Sequence, residues 1–432
     1  MLPKMKYDAY VQILKEELIP AMGCTEPIAI AYAGAIARKT LGDLPERVVI
    51  EVSGNIIKNT KSVVVPHTGG MRGIAAAAAI GVVAGDADVQ LEVISNVTEE
   101  QIAETQAFVE EVPFEVEFAK SEHIFDIKIT LYKGDDTACV RIVDFHTNVV
   151  LVKKNEDKIV SVEVEEKAQN TGTDRSLLTL EEIFLFAEEL DIEDVREVIG
   201  RQIAYNMAIA EEGLKNDYGA NIGKVLMQAF GDTDVKIRAK AKAAAASDAR
   251  MNGCELPVVI TSGSGNQGIT ASVPVIEYAR SLGVSEDKLY RALVISNLTT
   301  IHQKTGIGRL SAYCGAVSAG CGSAVGICYL HGGGFREGAH TLVNGLAITS
   351  GIICDGAKAS CAGKIASSVD AGILGYHMYQ AGQQFYGGDG IVKRGVENTI
   401  KSVGRLAAIG MHETDREIVK IMLQDEFQGE LS

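Results

Sequence analysis

The chain contains no tryptophan, few aromatic residues and fewer basic than acidic side chains. Aromatic residues make up 6% of its 432 positions, and 41 Lys and Arg stand against 57 Asp and Glu, so the net charge is −16. Binding to nucleic-acid phosphates requires clustered Lys and Arg, and no basic stripe with interleaved aromatic residues is present. We therefore expect no nucleic-acid partner.

Long apolar segments are missing as well. The longest runs of small apolar residues, 73–85 and 314–330, are shorter than the ~20 residues that a membrane span needs, and they are rich in Ala and Gly. We interpret both as buried helices and expect no membrane partner. Because the first residues lack the apolar core of a secretory signal, we expect the cysteines to be free thiols in the cytoplasm, a reducing compartment.

Cysteine is the residue type that stands out. Five of the eight cysteines lie between residues 310 and 364, and their neighbours are mostly Gly, Ala and Ser. Small neighbours leave room for a group that is not protein, and thiolates are soft ligands suited to zinc, copper or iron–sulfur clusters. The alternative is that these cysteines simply pack as small buried residues.

The spacing of these cysteines limits which of them can share one site. Cys314, Cys321 and Cys328 recur every seven residues, which separates neighbours on a helix by about 10.5 Å, too far for one small cluster. Cys354 and Cys361 have the same spacing, but they can converge if Cys354 lies on a loop and Cys361 lies in the following helix. One site would then take one cysteine from the first segment and two from the second. The pattern matches neither zinc ribbons nor ferredoxins.

Five motifs make the chain recognisable: GCTEP at 23–27, ASDARMNGC at 246–254, GSGNQGI at 263–269, KTGIGRLSAYCG at 304–315 and CDGAKASCAGK at 354–364. Together they resemble the L-cysteine desulfidase family, which is related to the alpha region of iron–sulfur L-serine dehydratases. The resemblance extends over almost the whole chain, from about residue 6 to residue 415.

The resemblance implies a site as well as a family. It implies a 4Fe–4S cluster held by Cys314, Cys354 and Cys361, and it places Cys24 at the same site as a fourth family cysteine. By the same resemblance, the remaining cysteines would be packing residues: Cys139, Cys254, Cys321 and Cys328.

Cys24 precedes a predicted helix over residues 27–41, which Thr25 can cap and for which Pro27 suits the first turn. The partial positive charge of a helix N-terminus favours a thiolate. A 4Fe–4S cluster held by three cysteines leaves one iron without a protein ligand. Because a fourth permanent ligand would fill that position, we expect Cys24 to act in turnover rather than to hold iron. The alternative is that Cys24 is an unreactive thiol in a loop.

Two glycine-rich segments are candidates for substrate binding. Residues 63–73 predict a strand, a turn and a helix, where backbone N–H groups and His67 can contact a substrate carboxylate. The loop 262–268 lacks the Walker and Rossmann patterns and suits a small polar ligand. Each can equally be a plain packing turn. The loop's candidate residues are Ser262, Gly263, Ser264, Gly265, Asn266 and Gln267.

His302 and Lys304 are the candidate acid–base groups ahead of Cys314. Two residues apart, they share a face only if this segment is extended. A solvated charge is the alternative for Lys304.

The pattern of apolar residues predicts an α+β fold. Helices are predicted over residues 222–230 and 235–251, and Thr98 and Gln101 are typical of a capping box that opens a helix ending at about Val109. Residues 1–86 and 167–432 are expected to form a largely helical, Gly- and Ala-rich catalytic domain, with residues 167–176 as a linker. Segments within 87–166 alternate like half-buried strands, including LEVIS at 91–95. We interpret 87–166 as an inserted, smaller two-layer α/β domain.

The resemblance implies a lyase that converts L-cysteine and water to pyruvate, ammonia and sulfide. An L-serine dehydratase with the same cluster chemistry is the alternative enzyme. A pyridoxal-phosphate lyase would use Lys358 or Lys364, although no phosphate-binding motif accompanies them. A metal-free amino-acid sensor is the non-enzymatic alternative. The expected ligand is a small amino acid, and a homodimer is left open.

Overall fold

The computed structural model describes residues 2–119, 121, 123–163, 172–308 and 311–427. Part of the predicted linker, residues 167–171, lies outside this described part. The first half of the chain contains the helices α1 (Lys4–Glu17), α2 (Thr25–Leu41), α3 (Gly54–Thr60), α4 (Gly73–Ala84), α5 (Glu99–Glu111), α6 (Leu180–Glu189) and α7 (Arg196–Lys215). The second half contains α8 (Ile222–Phe230), α9 (Val235–Met251), α10 (Gly265–Leu282), α11 (Glu286–Ile307), α12 (Gly315–Leu330), α13 (Phe335–Thr349), α14 (Cys361–Gln380), α15 (Val396–Arg405) and α16 (His412–Phe427).

The strands form one large and one small sheet. They are β1 (Pro20–Ala21), β2 (Arg47–Val52), β3 (Phe114–Phe118), β4 (Asp126–Lys133), β5 (Asp136–Val143), β6 (Val149–Lys154), β7 (Asp157–Ser161) and β8 (Val258–Val259). The large sheet has the order β3-β2-β4-β5-β6-β7, and every pair in it is antiparallel except β2 with β3. The small sheet pairs β1 with β8.

One face of the large sheet builds the first core. The strands alternate buried and partly exposed residues, so that Val48, Ile50 and Val52 of β2 point inward. Helix α2 packs on β4, β5 and β6, and α4 packs on α2. A sheet with helices on one face is a two-layer α/β arrangement, but α2 and α4 come from residues 1–86, which were predicted to belong to the helical catalytic domain.

Small residues set the approach of α2 and α4. Gly81 of α4 lies so close to α2 that a Cβ atom there would stand 2.0 Å from the carbonyl oxygen of Ala31. No side chain larger than hydrogen fits this crossing unless the backbone moves. The Ala-rich run of α4 is therefore a buried helix, as predicted.

The second core is helical. Buried residues of α1, α6, α7 and α9 to α15 form one apolar cluster, in which α12 packs against α10, α11, α13 and α14. Two separate cores of this kind confirm the predicted α+β class. Within the described residues, no helix combines the length and the apolar character that crossing a membrane requires.

Most helices follow their sequence pattern. Helices α8 and α9 have the predicted bounds, and Thr98 and Gln101 form the predicted capping box of α5. Two predicted strands are wrong. Residues 91–95 belong to a 3₁₀ helix, Ala87–Glu92, and the turn after it, and Val64 makes only an isolated bridge to Arg72. Apolar runs this short carry too little periodicity to decide between strand and turn.

The predicted domain boundaries at 86 and 166 stay a prediction. Strand β2, from the part before residue 86, lies inside the large sheet between β3 and β4, which come from the predicted insertion. Sheet pairing therefore joins the two segments.

Candidate active site

A cavity of about 110 Å³ lies where the two cores meet. Its walls come from the start of α2 and the end of α3 on one side, and from α9, the start of α10, α11 and the segments around Cys314 and Cys361 on the other. Four cysteines line it: Cys24, Cys314, Cys354 and Cys361. The four cysteines that the family resemblance places at one site are thus together, although more than 330 residues separate the first from the last.

Short backbone pairings bring these cysteines together. The N–H of Cys314 donates to Ile352 O (3.1 Å), and the N–H of Cys354 donates to Ala312 O (2.6 Å). Cys354 lies on a loop and Cys361 is the first residue of α14, as the spacing required. Strand β1 lies far from these cysteines in the sequence and pairs with β8. This pairing places the residues just before Cys24 beside the residues just before 262.

Gly356 closes the loop between Cys354 and Cys361. It has a left-handed φ of 94°, and a Cβ atom there would stand 1.9 Å from Lys58 O. The loop therefore lies directly against the end of α3, which a side chain at this position would prevent.

Four helices begin at this cavity. The residues preceding α2, α10, α12 and α14 are Cys24, Ser264, Cys314 and Ser360, and none of them makes a side-chain capping hydrogen bond. Only α2 has an acidic residue in its first turn, Glu26. Each uncapped N-terminus carries a partial positive charge. The cavity therefore favours anions.

The cavity thiols are donors of the kind that holds iron–sulfur clusters. In the described part of the chain, no three His, Cys, Asp or Glu side chains are close enough to hold one metal ion. Three thiols spread around one cavity, with the small residues Gly315, Ala316 and Ala357 between them, suit a group that contains several metal atoms. The positive helix ends complement the negative charge of such a thiolate-held group.

Burial keeps the thiols of Cys314 and Cys361 neutral in the absence of a metal. Burial and the neighbouring Cys354 raise the pKa of Cys314 to about 12, and burial raises the pKa of Cys361. Cys321 and Cys328 lie inside α12, are fully buried and do not line the cavity.

The predicted thiolate at Cys24 is wrong for this structure. Cys24 is 4% exposed, and its Sγ lies 3.2 Å from Glu26 Oε2. Burial and the Glu26 carboxylate raise the pKa of Cys24 well above its usual value, and this outweighs the helix N-terminus. The thiol therefore donates to Glu26, which also accepts from Thr25 Oγ1 and Asn59 Nδ2. Cys24, not Thr25, is the residue that precedes the helix.

His302 and Lys304 point in different directions. Both lie in α11, where residues two apart are rotated by about 200°. Lys304 lines the cavity and is 5% exposed. His302 does not line it, and its Nε2 lies 2.7 Å from Glu397 Oε2. Because the segment is helical, the pair cannot act on one substrate atom.

Burial lowers the pKa of Lys304 to about 8, although the nearby Cys354 and Cys314 oppose the shift. A lysine with this pKa exchanges a proton near neutral pH. Lys304 is thus the one of the two predicted acid–base groups that lies at the cavity.

The predicted substrate loop is mostly the first turn of α10. Gly263, Ser264, Asn266 and Gln267 line the cavity, whereas Ser262 and Gly265 do not. Gln267 is 5% exposed, and its Oε1 has no hydrogen-bond partner.

His67 lies away from the cavity. It has a left-handed φ of 55°, and its Nδ1 pairs with Glu255 Oε1 at 3.2 Å. Its predicted role in substrate binding has no geometric support from the cavity lining.

Two cations of the cavity, Arg250 and Lys58, were not predicted from the sequence. Lys58 is 1% exposed and pairs with Asp415 of α16. Arg250 is 3% exposed, and its Nη1 donates to Asn266 Oδ1 at 3.2 Å. A signal for Arg250 was present, since charged residues interrupt an Ala-rich run within the motif ASDARMNGC.

The two lysines considered for pyridoxal phosphate lie outside the cavity lining. Lys358 and Lys364 both pair with the Asp355 carboxylate, and Lys364 also donates to Ile353 O.

Comparison with known proteins identifies relatives over nearly the whole chain. The family model described as serine dehydratase alpha chain matches residues 88–420. A UPF0597 protein of Desulfitobacterium hafniense is 59% identical over 417 residues, which cover 96% of this chain and 97% of that protein. UPF0597 proteins of Lachnoclostridium phytofermentans and Treponema denticola are 51% and 48% identical to this chain. The two matches cover 96% and 98% of this chain, and each covers the full length of the relative. None of these three names states an activity.

Proposed function

Because this chain belongs to the serine dehydratase alpha chain family, we propose that it is an iron–sulfur-dependent lyase that carries out a β-elimination on a small L-amino acid. L-Cysteine is the substrate we propose, with pyruvate, ammonia and sulfide as products. The observation that carries the proposal is the convergence of Cys314, Cys354 and Cys361 on one cavity at which four helices begin.

Cys314, Cys354 and Cys361 would hold a 4Fe–4S cluster. Held by three protein ligands, it would supply Lewis-acid chemistry to the leaving group of the substrate. The other cavity residues would bind the rest of the substrate and move protons.

Binding of the amino acid would fall to the start of α10. The free N–H groups of its first turn favour a carboxylate. The unpartnered Oε1 of Gln267 can accept a hydrogen bond from the substrate's ammonium group. Because the cavity is buried, these contacts would also exclude water from the reacting atoms.

Proton transfer would fall to Lys304 and Cys24. In the elimination, a base removes the Cα proton as the Cβ–S bond breaks, and the departing sulfide takes up a proton. The resulting aminoacrylate is hydrolysed to pyruvate and ammonia. A lysine with a pKa of about 8 can serve as such a base. The Cys24 thiol becomes available as a base only when it has passed its proton to Glu26, 3.2 Å away.

The alternative enzyme is an L-serine dehydratase, in which hydroxide leaves instead of sulfide. The family match supports this alternative directly, since the matching model is that of a serine dehydratase. Pyridoxal-phosphate chemistry has less support, because Lys358 and Lys364 are both occupied by Asp355 outside the cavity lining.

The test is an anaerobic assay of the purified full-length protein. We expect a broad visible absorption from a cluster, with pyruvate and sulfide formed in equal amounts from L-cysteine. Faster pyruvate release from L-serine would select the alternative enzyme. A sharp aldimine band without iron would select the pyridoxal-phosphate lyase. A protein that binds an amino acid but contains no iron and forms no pyruvate would support the amino-acid sensor and contradict the lyase.

A further inference from the structure

Arg250 is a buried cation with which no carboxylate in the described part of the chain forms an ion pair. Its side chain belongs to α9 and lines the cavity, yet the residue is only 3% exposed. Among the residues that the structure describes, no carboxylate forms an ion pair with it: Glu26 lines the same cavity but accepts from Cys24, Thr25 and Asn59. The Nε of Arg250 has no hydrogen-bond partner. Burial of an unpaired charge is costly. A conformation of this kind is favourable when a ligand supplies the missing anion.

The other two cations of the cavity differ from Arg250. Lys58 is paired with Asp415, and Lys304 lies near the thiols of Cys314 and Cys354, which are the proposed cluster ligands. Arg250 is therefore the cation of this cavity that is left for the substrate.

The guanidinium group lies against the first residue of α10. A Cβ atom on Gly265 would stand 2.3 Å from Arg250 Nε and 2.6 Å from its Cζ. The same group is oriented by its hydrogen bond to Asn266 Oδ1. Helix α10 is 18 residues long, has no side-chain cap and has no acidic residue in its first turn. The guanidinium and the positive end of the helix thus meet at one point of the cavity wall.

We propose that Arg250, together with the first-turn N–H groups of α10, binds the α-carboxylate of the substrate. This inference rests on the proposed function and adds a specificity: the enzyme accepts only substrates with a free α-carboxylate. A guanidinium presents a planar pair of donors that matches a carboxylate. Asn266 acts as a positioning residue because its amide oxygen holds the guanidinium, whereas the sequence had suggested direct contact of Asn266 with the substrate.

The experiment measures ligand binding to the anaerobically purified full-length protein by calorimetry. L-Alanine is the probe, because it has the α-carboxylate and no leaving group. L-Alaninamide, in which the carboxylate is replaced by a neutral amide, is its matched partner. We expect the wild type to bind L-alanine more tightly than L-alaninamide. Arg250→Lys keeps the charge but loses the planar pair of donors. It should therefore weaken L-alanine binding by about 10-fold or more, as expected for the loss of one charge-assisted hydrogen bond, and should leave L-alaninamide binding nearly unchanged.

Two further variants separate recognition from folding. Arg238→Lys is the control: Arg238 lies on the same helix and pairs with Glu277, so L-alanine should bind as in the wild type. Asn266→Asp keeps Arg250 but offers it an internal carboxylate at the position of Oδ1. It should preserve the thermal stability and still weaken L-alanine binding, which a purely structural role of Arg250 does not predict.

Wild-type affinity for L-alanine in Arg250→Lys and Asn266→Asp would overturn the assignment. So would equal affinity of the wild type for L-alanine and L-alaninamide, or binding of neither. These outcomes are independent of catalysis: failure of the proposed lyase appears as an absence of pyruvate from the wild type, while L-alanine binding is measured without turnover.

Discussion

The charge state of single residues in this site depends more on burial than on the neighbouring residues in the sequence. Cys24 precedes a helix, which alone favours a thiolate. Its burial and the contact with Glu26 nevertheless raise its pKa. Arg250 was overlooked because its own segment is a long Ala-rich helix, and only the fold shows that none of the described carboxylates pairs with its side chain. Local sequence identifies which groups are reactive, but their charge state depends on residues far away in the chain.

Lys304 gives a prediction for the cluster-free protein. Its pKa falls from 10.5 to about 8 on folding because of burial. Between these two values the unfolded chain keeps a proton that the folded chain has lost, so the free energy of unfolding rises with pH in this window. Relative to Lys304→Met, the wild type should gain about 1.4 kcal/mol per pH unit between pH 8 and 10.

The measurement is denaturant unfolding of both proteins across pH 7–11. Below pH 8 the buried charge is present in the wild type, so Lys304→Met should be the more stable of the two. Parallel stability curves for the two proteins would show that Lys304 keeps its ordinary pKa.

At the scale of elements, long periodic segments were predictable and short ones were not. Helices α8 and α9 have their predicted ends, because each carries many residues of regular pattern. The segment 262–268 was predicted as a loop, yet α10 begins within it at Gly265. An uncapped, glycine-rich first turn has the composition of a loop. Strands β1 and β8 have two residues each, which is too short to show an alternating pattern of apolar residues.

The crossing of α2 and α4 gives a prediction about packing. Gly81→Ala places a methyl group 2.0 Å from Ala31 O, so the helices must separate. We expect a loss of about 1–3 kcal/mol, as for other overpacked cores, seen as a lower midpoint of thermal unfolding. Gly363→Ala in α14 is the matched control, since a Cβ there meets nothing within 4 Å.

The control should change stability in the opposite direction. Alanine in an unstrained helical position stabilises by about 0.5–1 kcal/mol relative to glycine. Equal midpoints for Gly81→Ala and the wild type would mean that the two helices are farther apart than described.

At the scale of the whole molecule, the cavity is a product of the fold. Cys24 and Lys58 come from the segment before α2 and from α3, whereas Arg250, Lys304 and Cys314 come from α9, α11 and the residue before α12. Spacing alone predicted that Cys354 and Cys361 can converge with one more cysteine. It could not select that cysteine or bring in Cys24, because no periodicity relates residues some 300 positions apart. The resemblance of the motifs supplied those assignments, and the cavity brings the same four thiols together.

The most direct test of the account is the iron content of cysteine variants after anaerobic reconstitution. Replacing Cys314, Cys354 or Cys361 by serine should remove most of the iron and sulfide. Cys24→Ala should keep the iron while losing turnover. Cys321→Ser is the matched control from the same segment, and it should keep both the iron and the activity. Retention of the cluster in Cys314→Ser, together with its loss in Cys321→Ser, would contradict the proposed ligand set.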